Sequence, residues 1–455
     1  MKPFDTTGAL QWFYLMRQGS AILTGILLAQ LGLPADQIGV YEILQYIGLL
    51  VSAFWVTGLS QALLSYFPTL PEPEQRRLTG SAFLLFTGLS ALLLAALWFG
   101  QNLAIPALAS RPALPYYELF LLWQFFNLPA FLIENLYLLH KKAKAIFWFG
   151  ILGFGLQMVA VLAPVALGAD FIWSFYGLIA LGVLKFTWIS VLILQTGQLS
   201  WDAALLRKWI RLAWPLALYA LLGGLIYSFS FWLVGHLYRD DEATFAVFRY
   251  GAREFPLVIA LTGALSAAII PALATNLQDG LSQLKTRSLR LFHLLFPLSI
   301  LLMLTSKYFF PIVFTDAFSE SAIVFNAFLL ITVSRVLFPR SVLMALQSNQ
   351  IALLSSVIEL IFIVTLSLVL APYFGLMGIA MGTTLGASLE KIILCIYLDR
   401  RFGIGVSQYT DMKWWVGYSV LLVAAFGWSV CNICCPTNQR HPIILTRILN
   451  FKKWT

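Results

Sequence analysis

Long apolar stretches recur along the whole chain and are separated by short polar segments. A helix needs about 20 apolar residues to cross the hydrocarbon core of a bilayer. Twelve stretches before residue 400 meet this requirement, and one more follows. The pattern predicts an all-α polytopic membrane protein, since helices satisfy their own backbone hydrogen bonds in lipid. The predicted spans are 11–33, 38–67, 80–100, 116–139, 145–167, 171–195, 211–236, 243–273, 289–313, 320–345, 349–371, 373–398 and 413–435.

Composition strengthens this prediction. The residues AVILMFWYC make up 60% of the 455 positions and charged residues only 11%, against roughly 25% charged in a soluble domain. This balance excludes cytosolic enzymes, nucleic-acid binding and secreted disulfide scaffolds. Three of the four cysteines crowd into residues 431–435, which is no disulfide framework. The net charge of +9 is typical of cytoplasmic loops that face anionic lipid.

Loop charges predict the orientation. The loops between the predicted spans fall into two alternating sets, one on each side of the membrane. One set holds fourteen Lys or Arg residues, whereas the other holds only Arg111 and Arg239. Because positive residues stay on the cytoplasmic side, the N-terminus is predicted to be cytoplasmic. The first span carries Arg17 and no small-residue cleavage site, which favours a retained helix over a signal peptide. The basic tail leaves two alternatives open: residues 441–451 return across the membrane, or one of the last runs lies in the interface.

The two halves of the chain are weakly repeated. At an offset of 205 residues Asp36 falls on Asp241, Thr57–Gly58 on Thr262–Gly263, and Gly177 on Gly382. Between the halves, Leu199–Leu216 reads as a basic amphipathic helix on the inner leaflet. We therefore predict two six-helix lobes around a central cavity, with one or two extra C-terminal hydrophobic segments. The predicted parts are 1–198 (N-terminal lobe), 199–212 (cytoplasmic connector), 213–400 (C-terminal lobe) and 401–455 (extra segment and basic tail).

Several stretches in this order resemble the polysaccharide-export branch of the multidrug/oligosaccharidyl-lipid/polysaccharide (MOP) superfamily, over roughly residues 8–400. They are Trp214-Pro215-Leu216, Phe231–Ala274, Ser334–Gln350 and Tyr373–Gly386. The family includes Wzx-type oligosaccharide flippases, the lipid II flippase and MATE drug exporters. The resemblance implies a transporter and not an enzyme. In the lipid II flippase, arginines on helices 1 and 8 line the cavity and are needed for transport. Arg17 and Arg249 or Arg253 occupy the matching helices here.

Cations inside the predicted spans are the candidate substrate-binding groups, because each needs a cavity, a partner or the headgroups. Arg249 and Arg253, spaced i and i+4, are expected to share a helix face and attract an anion. The alternative is that both arginines simply lie near the outer end of their span. Arg17 is alternatively a cytoplasmic-end anchor. Pro339 is expected to bend the helix between Arg335 and Arg340, of which Arg340 could snorkel. The candidate set is Arg17, Arg249, Arg253, Arg335 and Lys185.

Carboxylates inside the spans are candidates for coupling to H⁺ or Na⁺, or for pairing with arginines. This set is Glu254, Glu359 and Glu134. Glu390 beside Lys391 is interpreted as structural, at a cytoplasmic end. No catalytic residues, metal motif or Walker loop are identified, and no cofactor is expected.

The leading functional hypothesis is a flippase for a lipid-linked, polyprenyl-diphosphate oligosaccharide in the bacterial inner membrane. Arginine suits a diphosphate because its planar fork pairs with phosphate oxygens bidentately. The expected partners are the lipid-linked substrate, the bilayer, and a polysaccharide polymerase or glycosyltransferases, with no nucleic acid. The alternatives are a cation-coupled MATE-type drug exporter, a membrane glycosyltransferase or polymerase, and a non-transporting scaffold of a glycan-synthesis complex.

Overall fold

The computed structural model describes residues 6–239, 241–253, 255–346 and 348–434, and its regular elements in these ranges are helices. We number the α-helices in chain order. The first nine are α1 (Thr6–Gln30), α2 (Ala35–Tyr66), α3 (Glu72–Phe99), α4 (Gln101–Ala109), α5 (Tyr117–Asn127), α6 (Phe131–Leu139), α7 (Ala143–Ala166), α8 (Ile172–Thr196) and α9 (Ala203–Leu237). The next nine are α10 (Glu242–Gly251), α11 (Pro256–Thr275), α12 (Leu277–Phe314), α13 (Ser321–Leu329), α14 (Thr332–Arg335), α15 (Pro339–Ala345), α16 (Asn349–Phe402), α17 (Val406–Tyr409) and α18 (Met412–Cys434).

The predicted all-α membrane architecture is confirmed. Within the described residues, ten helical segments are long and apolar enough to cross a bilayer, and α5 with α6 (Tyr117–Leu139) is one of them. The number is eleven if the bent series α13–α15 forms one span. The thirteenth predicted stretch, 413–435, corresponds to α18, which is one of these ten. Residues 441–451 lie outside the described part of the chain. The first helix, α1, is not among the ten because Arg17 and Gln18 interrupt its apolar sequence.

The long helix α16 contains two of the predicted spans. Its 54 residues correspond to about 80 Å at 1.5 Å per residue, against about 30 Å for the bilayer core. The backbone leaves helical geometry at Gly375 (φ 56°, ψ −133°), a conformation that glycine adopts without a Cβ clash. The chain reverses there, since Ser367 contacts Gly382 and Ile363 contacts Gly386.

Glycines let the two arms of this hairpin approach closely. Gly378, Gly382 and Gly386 recur every four residues and therefore share one helix face. A Cβ added at Gly382 would lie 2.6 Å from the Ser367 backbone nitrogen. Its repeat partner Gly177 makes a similar contact on α8, where an added Cβ would lie 2.9 Å from the Ala160 carbonyl oxygen. Small residues at such crossings are typical of membrane helix packing.

Three predicted spans are broken in the structure, and a proline lies at each break. The span 116–139 divides into α5 and α6 around Pro129, and the span 243–273 divides into α10 and α11 just before Pro256. The span 320–345 bends by 40° where α15 begins at Pro339. Proline lacks the N–H that a helix interior needs and disfavours helical geometry at the preceding residue.

The chain divides into two compact units. The N-terminal unit contains Met1–Gly224 together with Tyr238–Ala243, and the C-terminal unit contains Leu225–Leu237 together with Thr244–Thr455. In the N-terminal unit one face of the amphipathic start of α9 packs on protein. Its Trp209 is completely buried, donates its indole N–H to the Leu59 carbonyl over 3.1 Å and stacks on Phe86. Arg207, Lys208 and Arg211 are exposed.

In the C-terminal unit, α18 is an integral part of the fold. It packs along α12 and α13. The fully buried Asn326 of α13 donates to Ser306 Oγ (2.8 Å) on α12 and to Ser429 Oγ (2.6 Å) on α18. Hydrogen bonds of this kind between helices specify packing in an apolar environment, where dispersion alone is weakly directional.

Candidate functional site

Arg17 and Glu134 are brought together in the N-terminal unit. The Arg17 guanidinium lies 4.9 Å from the Tyr14 ring centroid on the same helix. Glu134 of α6 interacts electrostatically with Arg17. A carboxylate beside an arginine reduces the free energy of keeping either charge away from water. The salt bridges of the described residues do not include this pair, so pairing with an arginine and coupling to H⁺ or Na⁺ both remain proposals for Glu134.

Lys185 lies in the middle of α8 and is buried, with 7% of its surface exposed. Its Nζ donates to Gln157 Oε1 of α7 (3.2 Å) and to Asn127 Oδ1 at the end of α5 (3.5 Å). Both acceptors are neutral amides. Within the described residues, this buried amine is therefore hydrogen-bonded without an ion-pair partner.

Arg249 lies on the last turn of α10 and rests on aromatic rings of α9. Its Cζ is 4.5 Å from the Phe231 ring centroid and 6.0 Å from that of Tyr227. The negative face of an aromatic ring attracts a guanidinium and is worth about 0.5–2 kcal/mol. The rings fix the position of the guanidinium plane without neutralising its charge.

Arg253 does not share a helix face with Arg249, and the i, i+4 prediction is wrong. Helix α10 ends at Gly251, and Arg253 lies in the gap before α11. Pro256 explains the gap, because it disfavours helical geometry at Phe255. The Arg253 guanidinium lies 4.9 Å from the Tyr250 ring centroid. The neighbouring Glu254 lies outside the described residues.

The end of α10 is held against α13. A Cβ added at Gly251 would lie 2.6 Å from the Ser321 carbonyl oxygen, so glycine permits this close approach. Ser321 Oγ also donates to the Val247 carbonyl over 2.8 Å. These contacts fix the end of the helix that carries Arg249 and set the position of the gap that contains Arg253.

An ionic cluster around a buried carboxylate in the C-terminal unit connects α15 with both arms of α16. Arg340 Nη2 donates to Glu390 Oε1 (3.0 Å) and to Ser356 Oγ (2.8 Å). Lys391 Nζ lies 3.0 Å from Glu390 Oε2, and Ser355 Oγ donates to Glu390 Oε1 over 3.2 Å. Only 2% of the Glu390 side chain is exposed. One carboxylate therefore holds two cations.

This cluster gives Arg340 and Glu390 a partner that the sequence did not predict. The Arg340 guanidinium lies 3.0 Å from the Glu390 carboxylate. Glu390 precedes the end of α16 at Phe402 by twelve residues, or about 18 Å. The pairing joins residues fifty positions apart, and helical periodicity carries no signal for such a contact.

Arg335 and Glu359 lie near the same cluster. Arg335 is exposed at the end of α14, next to the bend before Pro339. Glu359 interacts electrostatically with Glu390, Lys391, Arg340 and Arg335. The structure thus brings together one predicted cation and one predicted carboxylate, and it adds Arg340, Glu390 and Lys391 to them.

The three broken spans coincide with candidate polar groups. Arg253 lies inside one break, and Arg335 is the last residue before another. Asn127, which ends α5 before the third break, accepts from Lys185. Interrupted helices are tolerated at membrane depth only where protein or a polar cavity satisfies the freed backbone groups. Transporters commonly bind substrates and ions at such discontinuous helices.

Among the described residues, no group of three or more His, Cys, Asp or Glu side chains is placed to hold a metal ion. The arginines among these residues can donate hydrogen bonds to an anion. Arginines supply directed N–H donors for it, and aromatic faces supply rigid support.

Comparison with known proteins by sequence gives no assignment, since no protein-family model and no curated protein matches this chain. Solved structures do match. The lipid II flippase MurJ in an inward closed conformation aligns with a TM-score of 0.70 at 13% identity, over 96% of this chain and 95% of that protein.

Multidrug transporters of the MATE family also align. An inward-facing member of the MOP superfamily gives a TM-score of 0.62 at 15% identity, over 87% of this chain and 95% of its own. An outward-facing member gives a TM-score of 0.52 at 16% identity, over 90% of this chain and 97% of its own. The chain thus has the same fold as this lipid II flippase and these MATE-family transporters.

Proposed function

We propose that this protein moves a lipid-linked, polyprenyl-diphosphate oligosaccharide across the bacterial inner membrane by alternating access, for cell-surface polysaccharide synthesis. The observation that carries the proposal is the placement of arginines at breaks in membrane helices, with Arg253 in one break and Arg335 beside another. A diphosphate presents several oxygens and two or more negative charges, and arginine forks pair with it bidentately. One of the proteins with a similar structure is itself a lipid II flippase.

In this proposal the cations have different roles according to their position. Arg249 and Arg253 contact the diphosphate, and aromatic rings hold their guanidinium groups in place. Arg17, Arg335 and Lys185 add positive potential, while the polyprenyl chain stays in lipid. Glu134 and Glu359 are the carboxylates proposed to pair with arginines or to couple transport to H⁺ or Na⁺. The N-terminus is cytoplasmic, and a polymerase or glycosyltransferases are the proposed protein partners.

A cation-coupled drug exporter is the second candidate, because MATE transporters share the fold. Such a protein would bind organic cations, and Arg249 and Arg253 would repel a bound cation electrostatically. The two candidates therefore predict opposite charge preferences for the bound ligand.

The choice between them is testable by ligand-induced stabilisation of the purified protein in detergent. We expect a polyprenyl-diphosphate oligosaccharide to raise the melting temperature more than the matching polyprenyl monophosphate, because binding to the folded state alone stabilises it. A lipophilic organic cation should leave it unchanged. Stabilisation by the cation, with none by the diphosphate lipid, would favour the exporter and refute the flippase.

A further inference from the structure

An aromatic cluster joins α12 to the first two turns of α18 in the C-terminal unit. His293 of α12 shares a hydrogen bond of 2.9 Å with the hydroxyl group of Tyr418. The His293 ring lies edge-on to Trp414, with 4.9 Å between the ring centroids, and Trp414 stacks on Tyr418 at 5.7 Å. Phe296, the next turn of α12, also stacks on Tyr418 at 5.3 Å. We call His293, Trp414 and Tyr418 the ring cluster.

The ring cluster is exposed on the surface of the chain. Trp414 is 46% exposed, and His293 is exposed as well. An imidazole and an indole N–H are costly to place in hydrocarbon without partners. Tryptophan and tyrosine favour the headgroup level of a bilayer, where the ring contacts apolar groups and its polar atom reaches water. The cluster is therefore typical of a membrane interface.

The lengths of the two helices place the ring cluster at that level. Helix α12 has 38 residues, or about 57 Å, whereas the bilayer core is about 30 Å thick. Roughly half of α12 therefore extends beyond the core. The predicted span begins at residue 289, so His293 lies in its second turn. Helix α18 begins at Met412, so Trp414 lies in its first turn. Both helices bring the cluster to one interface.

Two exposed cations flank the ring cluster. Arg290 precedes His293 by three positions and therefore lies on the same side of α12, one turn nearer its start. Lys413 directly precedes Trp414 on α18, and both cations are exposed. Neither forms an ion pair with any other residue that the structure describes. Both side chains are therefore available to an anion from the membrane.

The other charged groups beside the cluster already have partners. Lys285 donates to the Ser407 carbonyl over 2.9 Å. Asp411 is the acidic residue nearest in sequence, and its carboxylate accepts from the backbone N–H of Trp414 over 3.4 Å. Positive charge therefore predominates at the surface of the cluster.

Both helices continue from the ring cluster with exposed apolar side chains. Their exposed fractions lie between 46% and 62%, and they are Leu294, Leu301, Val416 and Val420. A small free anion makes no use of such a surface. The acyl chains of a phospholipid pack on it while the phosphate stays with the cations at the interface. The combination of cations, rings and apolar side chains therefore fits a lipid better than a free phosphate.

We propose that the ring cluster, together with Arg290 and Lys413, binds the headgroup of an anionic phospholipid whose acyl chains lie along α12 and α18. The arginine fork and the lysine ammonium contact the phosphate. Clustered cations at a membrane surface favour anionic over zwitterionic lipids. The bound lipid bridges the two helices and stabilises their packing. This inference goes beyond the proposed transport and does not depend on the identity of the cargo.

Native mass spectrometry of the purified protein tests the preference for anionic lipid. The probes are a phosphatidylglycerol and a phosphatidylcholine with identical acyl chains. A cation near an anionic lipid contributes about fivefold in affinity, so we expect the tightest phosphatidylglycerol site to prefer that lipid by at least about fivefold. The preference should fall as the salt concentration rises, because salt screens exposed charges. Equal affinities for the two lipids would overturn the proposal.

A double variant locates the site. R290Q/K413Q should weaken the tightest phosphatidylglycerol site by roughly tenfold or more, since it removes both cations. The control K142Q/K144Q removes two exposed cations near the start of α7 and should bind within twofold of wild type. Both variants change exposed side chains, so their melting temperatures without lipid should equal that of wild type. Equal losses of affinity in the two variants would place the lipid elsewhere and overturn the proposal.

Other occupants of the same surface give different results. Displacement of phosphatidylglycerol by excess inorganic phosphate would indicate a site for a free anion and overturn the assignment to lipid. A dimer that dissociates in R290Q/K413Q would indicate a second copy of the chain and overturn it as well. Because no lipid-linked glycan enters these measurements, their failure is distinguishable from failure of the proposed function.

Discussion

Replacement of Glu390 by glutamine is expected to destabilise the protein by about 3–5 kcal/mol, the range for removing one partner of a buried ion pair. The substitution keeps the size of the side chain and removes its charge. Arg340 and Lys391, which both contact this carboxylate, are then left as two adjacent cations without their shared counter-charge. Thermal unfolding in detergent, followed by tryptophan fluorescence, measures the effect.

Glu72→Gln is the matched control for this prediction. Glu72 pairs with Arg76 on the surface of α3, where the two side chains are 78% and 57% exposed, and exposed pairs contribute about 0–1 kcal/mol. Adding Lys391→Met to Glu390→Gln should recover part of the lost stability, because it removes one uncompensated cation. Equal melting temperatures for Glu390→Gln and Glu72→Gln would contradict the account of the cluster.

Arg249→Ala and Arg253→Ala are each expected to weaken binding of a polyprenyl-diphosphate oligosaccharide at least tenfold. A hydrogen bond to a charged group contributes about 1.5–3 kcal/mol, or roughly 10-fold to 150-fold in affinity. Arg253→Lys should lie between wild type and alanine, because lysine keeps the charge but loses the planar fork. Equilibrium binding of a fluorescent lipid-linked glycan measures these affinities.

Arg287→Ala provides the control, since Arg287 is exposed on α12 and bonds to Gln283 on its own helix. The Arg287→Ala variant should bind the lipid-linked glycan with the affinity of wild type. If the Arg249 and Arg253 variants also bind within twofold of wild type, neither arginine contacts the diphosphate.

The sequence predicted the helices well because lipid imposes one strong rule. Apolar stretches of about 20 residues must be helices, and each predicted stretch corresponds to described helix or to a series of short helices. It did not predict most of the breaks, although Pro129, Pro256 and Pro339 mark them. Proline is tolerated inside many membrane helices, so only Pro339, between two arginines, stood out.

The candidate site was only partly predictable. Periodicity placed Arg249 and Arg253 on one face, but the end of α10 at Gly251 separates them. The contact of Arg340 with Glu390 depends on how α15 packs on α16. The contact of Arg111 with Glu242 also joins distant positions, which are 131 residues apart. The count of loop charges marked Arg111 as one of two basic residues in the predicted outer loops, but only the packing of the chain shows its carboxylate partner.

The most direct test of the central claim is transport in vesicles that contain only the purified protein and a labelled polyprenyl-diphosphate oligosaccharide. We expect the glycan to reach the opposite leaflet at least ten times faster than in protein-free vesicles, and Arg253→Ala to lower this rate at least tenfold. Vesicles that export an organic cation and leave the lipid-linked glycan in its original leaflet would contradict the account.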